Sequence, residues 1–277
     1  MLDQFRHSLR IGLSRTGITL LKTSGLMRHK TSLLASAAVS AETSAVPERL
    51  GAQLHTMLVA ANCANLPATI ILSDDWARLL MVAPPRNAGS LQDCQAAAEM
   101  RFLALYGESA SGWQLEADWD AQHAFLACAL SRPLLDVLHQ TALNNKLTLI
   151  SVAPQFVAMW NHWRRKLQAD AWFGVVQDDR LTLGAVDHQR LCAVRSALVP
   201  GDAWMDQQWL PDHLTREALR LNLPTPSRIH LCGAVPGQWT TKTMDTLTCI
   251  RLDAGRSLTE TGLITAGGSL AGSGMRS

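Results

Sequence analysis

Two short strands joined by a turn are predicted in the stretch RIGLSRTGITLL (Arg10–Leu21), where the turn falls at Ser14–Gly17. Much later in the chain, Trp172–Val186 begins in the same way and turns at Gln177–Arg180. Each hairpin is followed by further strand and helix patterns. The repetition indicates two related α/β halves that face each other across a cleft, an arrangement suited to holding a nucleotide.

Composition and charge narrow the class of protein. The chain has 277 residues and is 47% hydrophobic, which is enough for one large or two ordinary domains with well-filled cores. Its net charge of +2 provides no broad field to attract nucleic acid or an acidic membrane surface. No window approaches the ~18 consecutive apolar residues of a membrane span, and Met1–Arg10 is too polar for a secretory signal. We therefore expect no nucleic-acid binding, and membrane association only through a partner.

The cysteines and histidines support no local catalytic or metal motif. The six cysteines are spread singly through apolar stretches, without a C-x-x-C pair. They are predicted to be buried free thiols in a reducing compartment, which indicates the cytoplasm. The nine histidines form neither H-x-x-x-H nor H-E-x-x-H, and no G-x-S-x-G elbow occurs. We therefore predict no catalytic residues and no metal site.

The order of the patterns predicts two lobes of unequal length. Residues 1–169 are expected to form the first lobe, with an inserted small subdomain around 85–130. In that insertion Ser90 is a suitable helix cap, and apolar and polar residues alternate over Trp113–Trp119 as in a half-buried strand. Residues 170–277 are expected to form the second lobe, where a strand at Arg228–Cys232 is closed by Gly233.

Tryptophan is unusually frequent, with nine copies against one tyrosine. Trp204, Trp209 and Trp239 lie in less regular segments of the second half. If they are exposed, such side chains can anchor a peptide, because aromatic residues dominate interface hot spots. Packing of the connections is an equally good interpretation, and the sequence leaves both open.

Four segments resemble, in type and order, those of the actin-like PilM group of type IV pilus assembly proteins. They are Gly12–Gly17, Ile70–Trp76 with the following Pro84-Pro85, Leu143–Pro154 and Ile229–Gly233. Related pilus and DNA-uptake forms, and the cytoplasmic part of the type II secretion protein GspL, are similar. The resemblance covers most of the chain. It implies an α/β, actin-like fold, in which duplicated ribonuclease-H-like halves with mixed sheets surround an interlobe cleft.

In nucleotide-binding members of this group, the first hairpin has an aspartate followed by glycine and small hydroxyl residues. The acid organises the waters of Mg²⁺, and the backbone amides surround the phosphates. In this chain Ser14 falls near the aspartate position and Arg15 crowds the turn. Gly12 and Gly17 remain, with Thr16 as a candidate phosphate ligand.

The second turn offers Asp178 and Asp179 with no glycine between the strands. Leu231–Gly237 stands where the resemblance places a glycine-containing adenosine loop. A bound nucleotide would therefore be contacted by Gly12, Thr16, Gly17, Asp178 and Gly233. Because Gly and Asp at hairpin turns commonly serve backbone conformation alone, the residues disfavour ATP and Mg²⁺ as cofactors. They indicate a degenerate ATPase.

The resemblance implies a non-catalytic cytoplasmic scaffold of a type IV pilus or of a related secretion or DNA-uptake machine. Its partner would be the cytoplasmic amino-terminal tail of a PilN-type inner-membrane protein, which would hold the scaffold at the membrane. A pilus motor ATPase and a second copy of the chain are further expected partners. The alternative is a divergent actin-like ATPase or sugar-kinase-like enzyme that uses the same cleft, and a third interpretation is a membrane-anchored scaffold of the GspL kind.

Overall fold

The computed structural model describes residues 7–25, 30–169, 171–240 and 247–254, which form three sheets and their covering helices. The segment from residue 255 onward, which was assigned to the second lobe, lies outside the described residues. The strands are β1 (His7–Leu13), β2 (Gly17–Ser24), β3 (Lys30–Ala38), β4 (Pro67–Leu72), β5 (Ala77–Val82), β6 (Trp113–Ala117), β7 (Phe125–Ser131), β8 (Thr148–Pro154), β9 (Trp172–Gln177), β10 (Arg180–Asp187), β11 (Arg190–Leu198), β12 (Arg228–Gly233) and β13 (Thr248–Arg251). The helices are α1 (Ala41–Ala45), α2 (Pro47–Ala60), α3 (Leu91–Tyr106), α4 (Arg132–Asn144), α5 (Gln155–Trp163) and α6 (Trp209–Leu221).

Two five-stranded sheets share one topology. The first has the order β3-β2-β1-β4-β8 and the second the order β11-β10-β9-β12-β13. In both, the first three strands of the half pair antiparallel, and the two strands that follow pair parallel. The repeat extends to single hydrogen bonds, since Ser73 N donates to Leu13 O in the first sheet and Ala234 N donates to Val176 O in the second. The duplication predicted from the two hairpins is confirmed.

Helices α2 and α4 cover the first sheet. Helix α2 begins at Pro47, whose missing N–H costs nothing in a first turn. Its residues Leu50, Leu54 and Leu58 recur on one face and are buried against the sheet. The two helices approach closely at Gly51, where a Cβ atom would lie 2.5 Å from Val137 Cγ1. The absence of a side chain at Gly51 therefore sets the spacing of this helix pair.

The small subdomain is a three-stranded antiparallel sheet of order β5-β7-β6 covered by α3. Its helix starts in a capping box formed by Ser90 and Asp93 and ends at Gly107, which has a left-handed φ of 68°. Strand β5 pairs with β7 along its whole length, from Ala77 to Val82. The sheet therefore begins earlier in the chain than the expected start near residue 85.

Three tryptophans of the second lobe, Trp204, Trp209 and Trp239, form a stack. Trp239 is fully buried, and its ring lies 5.2 Å from that of Trp209 and 6.1 Å from that of Trp204, nearly parallel to both. Its indole nitrogen donates to Ala203 O at 3.2 Å. Of the two interpretations left open by the sequence, packing of the connections is the correct one for Trp239.

All six cysteines are free thiols, as predicted. Cys63, Cys94 and Cys232 are buried, Cys128 and Cys249 are only half-buried, and Cys192 is exposed on β11. The expectation that all of them are buried is wrong for Cys192, because β11 is the edge strand of its sheet and much of its surface faces solvent.

The two lobes share a hydrophobic core built around α5. Phe156 and Trp160 of this helix lie against Phe173 of β9, with ring centroids 5.6 Å and 5.8 Å away. Met81 and Leu126 from the small sheet pack against the same cluster. Aromatic pairs at such distances stabilise a contact beyond the area they bury. The lobes and the small subdomain are therefore joined by packing as well as by the chain.

A polar contact between the lobes lies beside this core. The carboxylate of Asp74, just after β4, accepts hydrogen bonds from Phe156 N at 2.9 Å and from the Thr182 side chain of β10. Asp75 forms an ion pair with Arg180 Nε, with 2.6 Å between the two atoms. Burial raises the pKa of Asp74 to about 6, although these hydrogen bonds act in the opposite direction. The end of β4 is thus tied to the second hairpin.

Truncation of a side chain in the shared core should destabilise the protein. We expect Phe156→Ala to lower the free energy of unfolding by about 3–5 kcal/mol, because the ring is fully buried between the lobes. The control Leu219→Ala, at a side chain 75% exposed on α6, should stay within about 0.5 kcal/mol of the parent. Denaturant titration measures the free energy of unfolding of both variants. Equal stability of the two would contradict a large contribution of the interlobe core to stability.

The raised pKa of Asp74 predicts a pH dependence. The folded state holds this proton up to about pH 6, whereas the unperturbed carboxyl loses it near 3.8. The contribution of Asp74 to stability is therefore full below the lower value and declines as the pH rises to the higher one. Asp74→Asn cannot titrate, so the free energy of unfolding of the variant, relative to the parent, should increase between pH 4 and pH 7. Parallel stability profiles for the two proteins would show that Asp74 does not titrate in this way.

Candidate functional site

A groove of about 910 Å³ lies between the lobes. One wall consists of β5 and the end of α3, and the other is the edge strand β11. Arg15 from the first hairpin turn and Asp179 from the second line one end of it. This interlobe groove is the candidate functional site, because it adjoins both duplicated turns and is open to a ligand.

The first hairpin turn closes on itself. Ser14 is fully buried, and its Oγ accepts hydrogen bonds from Thr16 N at 3.2 Å and from Gly17 N at 3.0 Å. Thr16 Oγ1 lies 3.2 Å from the same hydroxyl, and Thr16 O accepts from Val39 N. The amides of Thr16 and Gly17, two of the predicted phosphate contacts, thus already have an acceptor within the turn.

The two other glycines among the predicted contacts lie in strands. Gly12 is inside β1, paired with Thr19 on one side and Ile71 on the other. Gly233 ends β12 with a φ of 102°, and a Cβ atom there would lie 2.0 Å from Val176 O. A side chain at Gly233 is therefore excluded both by the backbone conformation and by the neighbouring strand.

The backbone N–H and carbonyl groups of Gly233 both form hydrogen bonds with other residues. Its N–H donates to Asp253 Oδ2 at 2.9 Å, and its carbonyl accepts from Arg251 Nη2 at 3.2 Å. The carboxylate of Asp253 is in turn paired with Arg251 Nε at 2.8 Å. These contacts give Gly233 a structural role at the end of the sheet.

The second hairpin turn differs from the first. Asp178 has a left-handed φ of 51°, a conformation that Asp tolerates better than most residues, and Asp179 O accepts from Val199 N at 2.7 Å. Gln177, the last residue of β9, is the counterpart of Ser14, because Val176 O accepts from Ala234 N as Leu13 O accepts from Ser73 N; it is also buried. Its side-chain amide, however, has no hydrogen-bond partner within the described residues. Among the described residues, the Gln177 side chain therefore does not close the second turn as the Ser14 hydroxyl closes the first.

The structure brings parts of the two turns together through Asp75. Arg180, which begins β10, forms the ion pair with its carboxylate, and Arg15 of the first turn is 3.5 Å from its backbone oxygen. The indication of this contact in the sequence is the adjacent pair of carboxylates, Asp74 and Asp75, directly after an apolar strand.

Within residues 7–25, 30–169, 171–240 and 247–254, no cluster of three or more His, Cys, Asp or Glu side chains is arranged to hold a metal ion. In the same ranges no helix is both long and apolar enough to span a membrane.

An arginine and aromatic cluster lines the middle of the groove. The Arg78 guanidinium lies 5.3 Å from the ring centroid of Tyr106 and 5.5 Å from that of Trp113. Tyr106 donates its hydroxyl hydrogen to Leu79 O at 3.3 Å. Burial raises the pKa of Tyr106, while the charges of Arg78 and Arg101 lower it. Sequence reasoning missed this cluster, because its members come from three separate elements and share no spacing.

The groove also presents apolar side chains and sheet edges. Leu105 of α3 and Leu198 of β11 line it and are 46% and 61% exposed. Strands β5 and β11 each have a strand neighbour on one side only among the described residues. A chain in extended conformation is the kind of ligand that uses such edges through its main chain and such leucines through its side chains.

No protein-family model matches the chain, and no curated protein sequence does. Solved structures do match. A protein of Bacteroides thetaiotaomicron, described as having an actin-like ATPase fold and unknown function, superimposes with a TM-score of 0.64 at 12% identity, covering 95% of this chain and 96% of its own.

Two further matches are components of a secretion system and of a pilus biogenesis complex. The cytoplasmic domain of EpsL, an inner membrane component of the type II secretion system of Vibrio cholerae, has a TM-score of 0.60 at 12% identity, with 93% of this chain and 92% of that domain covered. A chain of the PilM-PilN type IV pilus biogenesis complex has a TM-score of 0.62 at 13% identity, with coverages of 89% and 88%. With the duplicated sheets, these superpositions show that the chain has the actin-like α/β fold.

Proposed function

We propose that this protein is a non-catalytic cytoplasmic scaffold of a type IV pilus or of a related secretion or DNA-uptake machine. It binds the cytoplasmic amino-terminal tail of a PilN-type inner-membrane assembly protein and is held at the inner membrane by that tail. The observation that supports this most is the agreement in fold, along nearly the whole chain, with an EpsL cytoplasmic domain and with a chain of the PilM-PilN complex.

The interlobe groove supports the binding of a tail. Extended peptides bind folded domains by adding to a sheet edge, with pockets for alternate side chains. The groove offers two such edges, β5 and β11, together with the exposed Leu105 and Leu198. We assign the tail to this groove, where main-chain pairing gives affinity and the leucines select apolar side chains.

The candidate nucleotide contacts are already hydrogen-bonded within the protein, which favours the scaffold over the alternative, a divergent actin-like ATPase. That alternative requires Gly12, Thr16, Gly17, Asp178 and Gly233 as nucleotide contacts. The amides of Thr16 and Gly17 are bonded to Ser14, and Gly233 is bonded to Asp253 and Arg251. A phosphate would have to break these bonds before it could use the same donors.

We also propose a pilus motor ATPase as a second partner, and self-association into an oligomer. Both proposals rest on the resemblance to pilus proteins alone. A scaffold bound to a membrane protein on the cytoplasmic side could transmit the conformational state of such an ATPase to that protein.

Titration with Mg-ATP separates the scaffold from the ATPase. We expect no saturable heat by calorimetry and no rise in melting temperature, because the amides of the first turn are already bonded. The Asp178→Ala variant should behave like the parent. Saturable binding in the parent that is lost in Asp178→Ala would instead establish the nucleotide-binding alternative.

Purification with a tag from detergent-solubilised membranes of the native host tests the partner. We expect a single-pass inner-membrane protein to co-purify, and a synthetic peptide of its cytoplasmic amino terminus to bind the isolated chain. The double variant Leu105→Asp, Leu198→Asp should lose the peptide, because both side chains line the groove. The control Leu143→Asp, at a side chain 68% exposed at the end of α4, should retain it. Binding that survives the groove variant would place the tail elsewhere.

A further inference from the structure

Three arginines of the interlobe groove, Arg15, Arg78 and Arg101, form no ion pair among the described residues. Among the described residues, Arg180 is paired with Asp75 and Arg195 with Glu217. The Arg15 side chain donates to Asp75 O, whereas neither the Arg78 nor the Arg101 side chain forms an ion pair or a hydrogen bond within that part of the chain. The groove therefore has positive charge that no carboxylate of the described residues pairs with.

Arg78 is held in position by aromatic rings. Its guanidinium lies over Tyr106 and Trp113, and both of these rings pack on Phe102, at centroid distances of 5.0 Å and 5.4 Å. The Nε atom of Arg78 is shielded from solvent and has no acceptor among the described residues. A cation fixed in this way loses little conformational entropy when it binds an anion, since the side chain is already ordered.

Arg101 adds its charge at the same place. It belongs to α3, five residues before Tyr106, and its charge lowers the pKa of Tyr106, as that of Arg78 does. Two cations that line one groove repel each other, and an anion bound near both of them reduces this repulsion. The planar fork of arginine matches a carboxylate particularly well, because two parallel N–H groups reach its two oxygens.

The shape of the groove restricts the form of the anion. Arg78 belongs to β5 and Arg101 to α3, and both line the groove together with the facing edge β11 and the exposed leucines Leu105 and Leu198. A small inorganic anion would leave these edges and leucines uncovered. An extended peptide covers them and can carry a carboxylate to the arginines.

We propose that the interlobe groove binds an extended acidic peptide segment, with an Asp or Glu carboxylate held between Arg78 and Arg101 and apolar side chains at Leu105 and Leu198. This deepens the proposed function, because it gives the segment bound in the groove a chemistry. It rests on the proposed function only in taking that segment to be the tail of the membrane partner.

Selection from a phage-displayed library of random peptides tests the inference without any assumption about the partner. The immobilised full chain should enrich peptides that contain Asp or Glu beside apolar residues. Synthetic copies should bind more weakly as NaCl rises from about 0.05 to about 0.5 M, because salt screens exposed charge pairs. Absence of enrichment, or enriched peptides without acidic residues, would overturn the proposal.

Variants locate the contact. The double variant Arg78→Gln, Arg101→Gln should weaken a selected peptide about tenfold or more, as expected for the loss of charge-assisted hydrogen bonds, and should flatten the salt dependence. Arg78→Lys, which keeps the charge without the planar fork, should lie between this variant and the parent. The control Arg165→Gln removes a charge that lies in a different cavity and should bind like the parent.

A melting curve for each variant verifies that it is folded, and Arg78→Lys serves as the test if the double variant is not. Unchanged affinity and salt dependence in the folded variants would overturn the assignment to these arginines. If acidic peptides bind as described while no inner-membrane protein co-purifies, the groove chemistry stands and the proposed membrane partner fails.

Discussion

The packing of Phe156 and Trp160 against Phe173 is the contact on which the rest of the structure depends. Helix α5 connects the last strand of the first sheet to the first strand of the second, so its aromatic face belongs to both lobes. The contact also requires a bare backbone on the facing strand, because a Cβ atom at Gly184 would lie 2.9 Å from Phe156 Cζ. Since Met81 and Leu126 pack on the same cluster, the position of the small subdomain is set here too, and with it the distance across the groove.

Duplication has given the two halves one architecture with different chemistry at the turns. The first turn is closed by a buried serine hydroxyl, whereas the second has a buried glutamine whose amide is unmatched within the described residues. The sheets could keep a common topology because their order depends on apolar strands, which tolerate change at the tips. The turns are free to diverge, since a hairpin needs only residues that accept its backbone conformation.

The sequence allowed the prediction of those features that depend on local pattern. The hairpins at Arg10–Leu21 and Trp172–Val186, the helix cap at Ser90 and the actin-like order of elements were all predicted and are confirmed. What was not predicted depends on residues far apart in the chain. The groove cluster joins Arg78 and Tyr106 across strand and helix, and the ion pair of Asp75 with Arg180 crosses the lobes. No spacing along the chain encodes such contacts, because they arise only when the halves pack.

The hydrogen bonds of the Ser14 hydroxyl determine how the first turn would respond to a ligand in the groove. They hold the first turn in one conformation by contacts within the turn itself. A ligand bound in the proposed groove would therefore gain no free energy by ordering that turn, in contrast to a switch segment that becomes ordered only around a terminal phosphate. Such a ligand would act instead on β5 and β11, which line the groove, and through them on the shared core at Phe156.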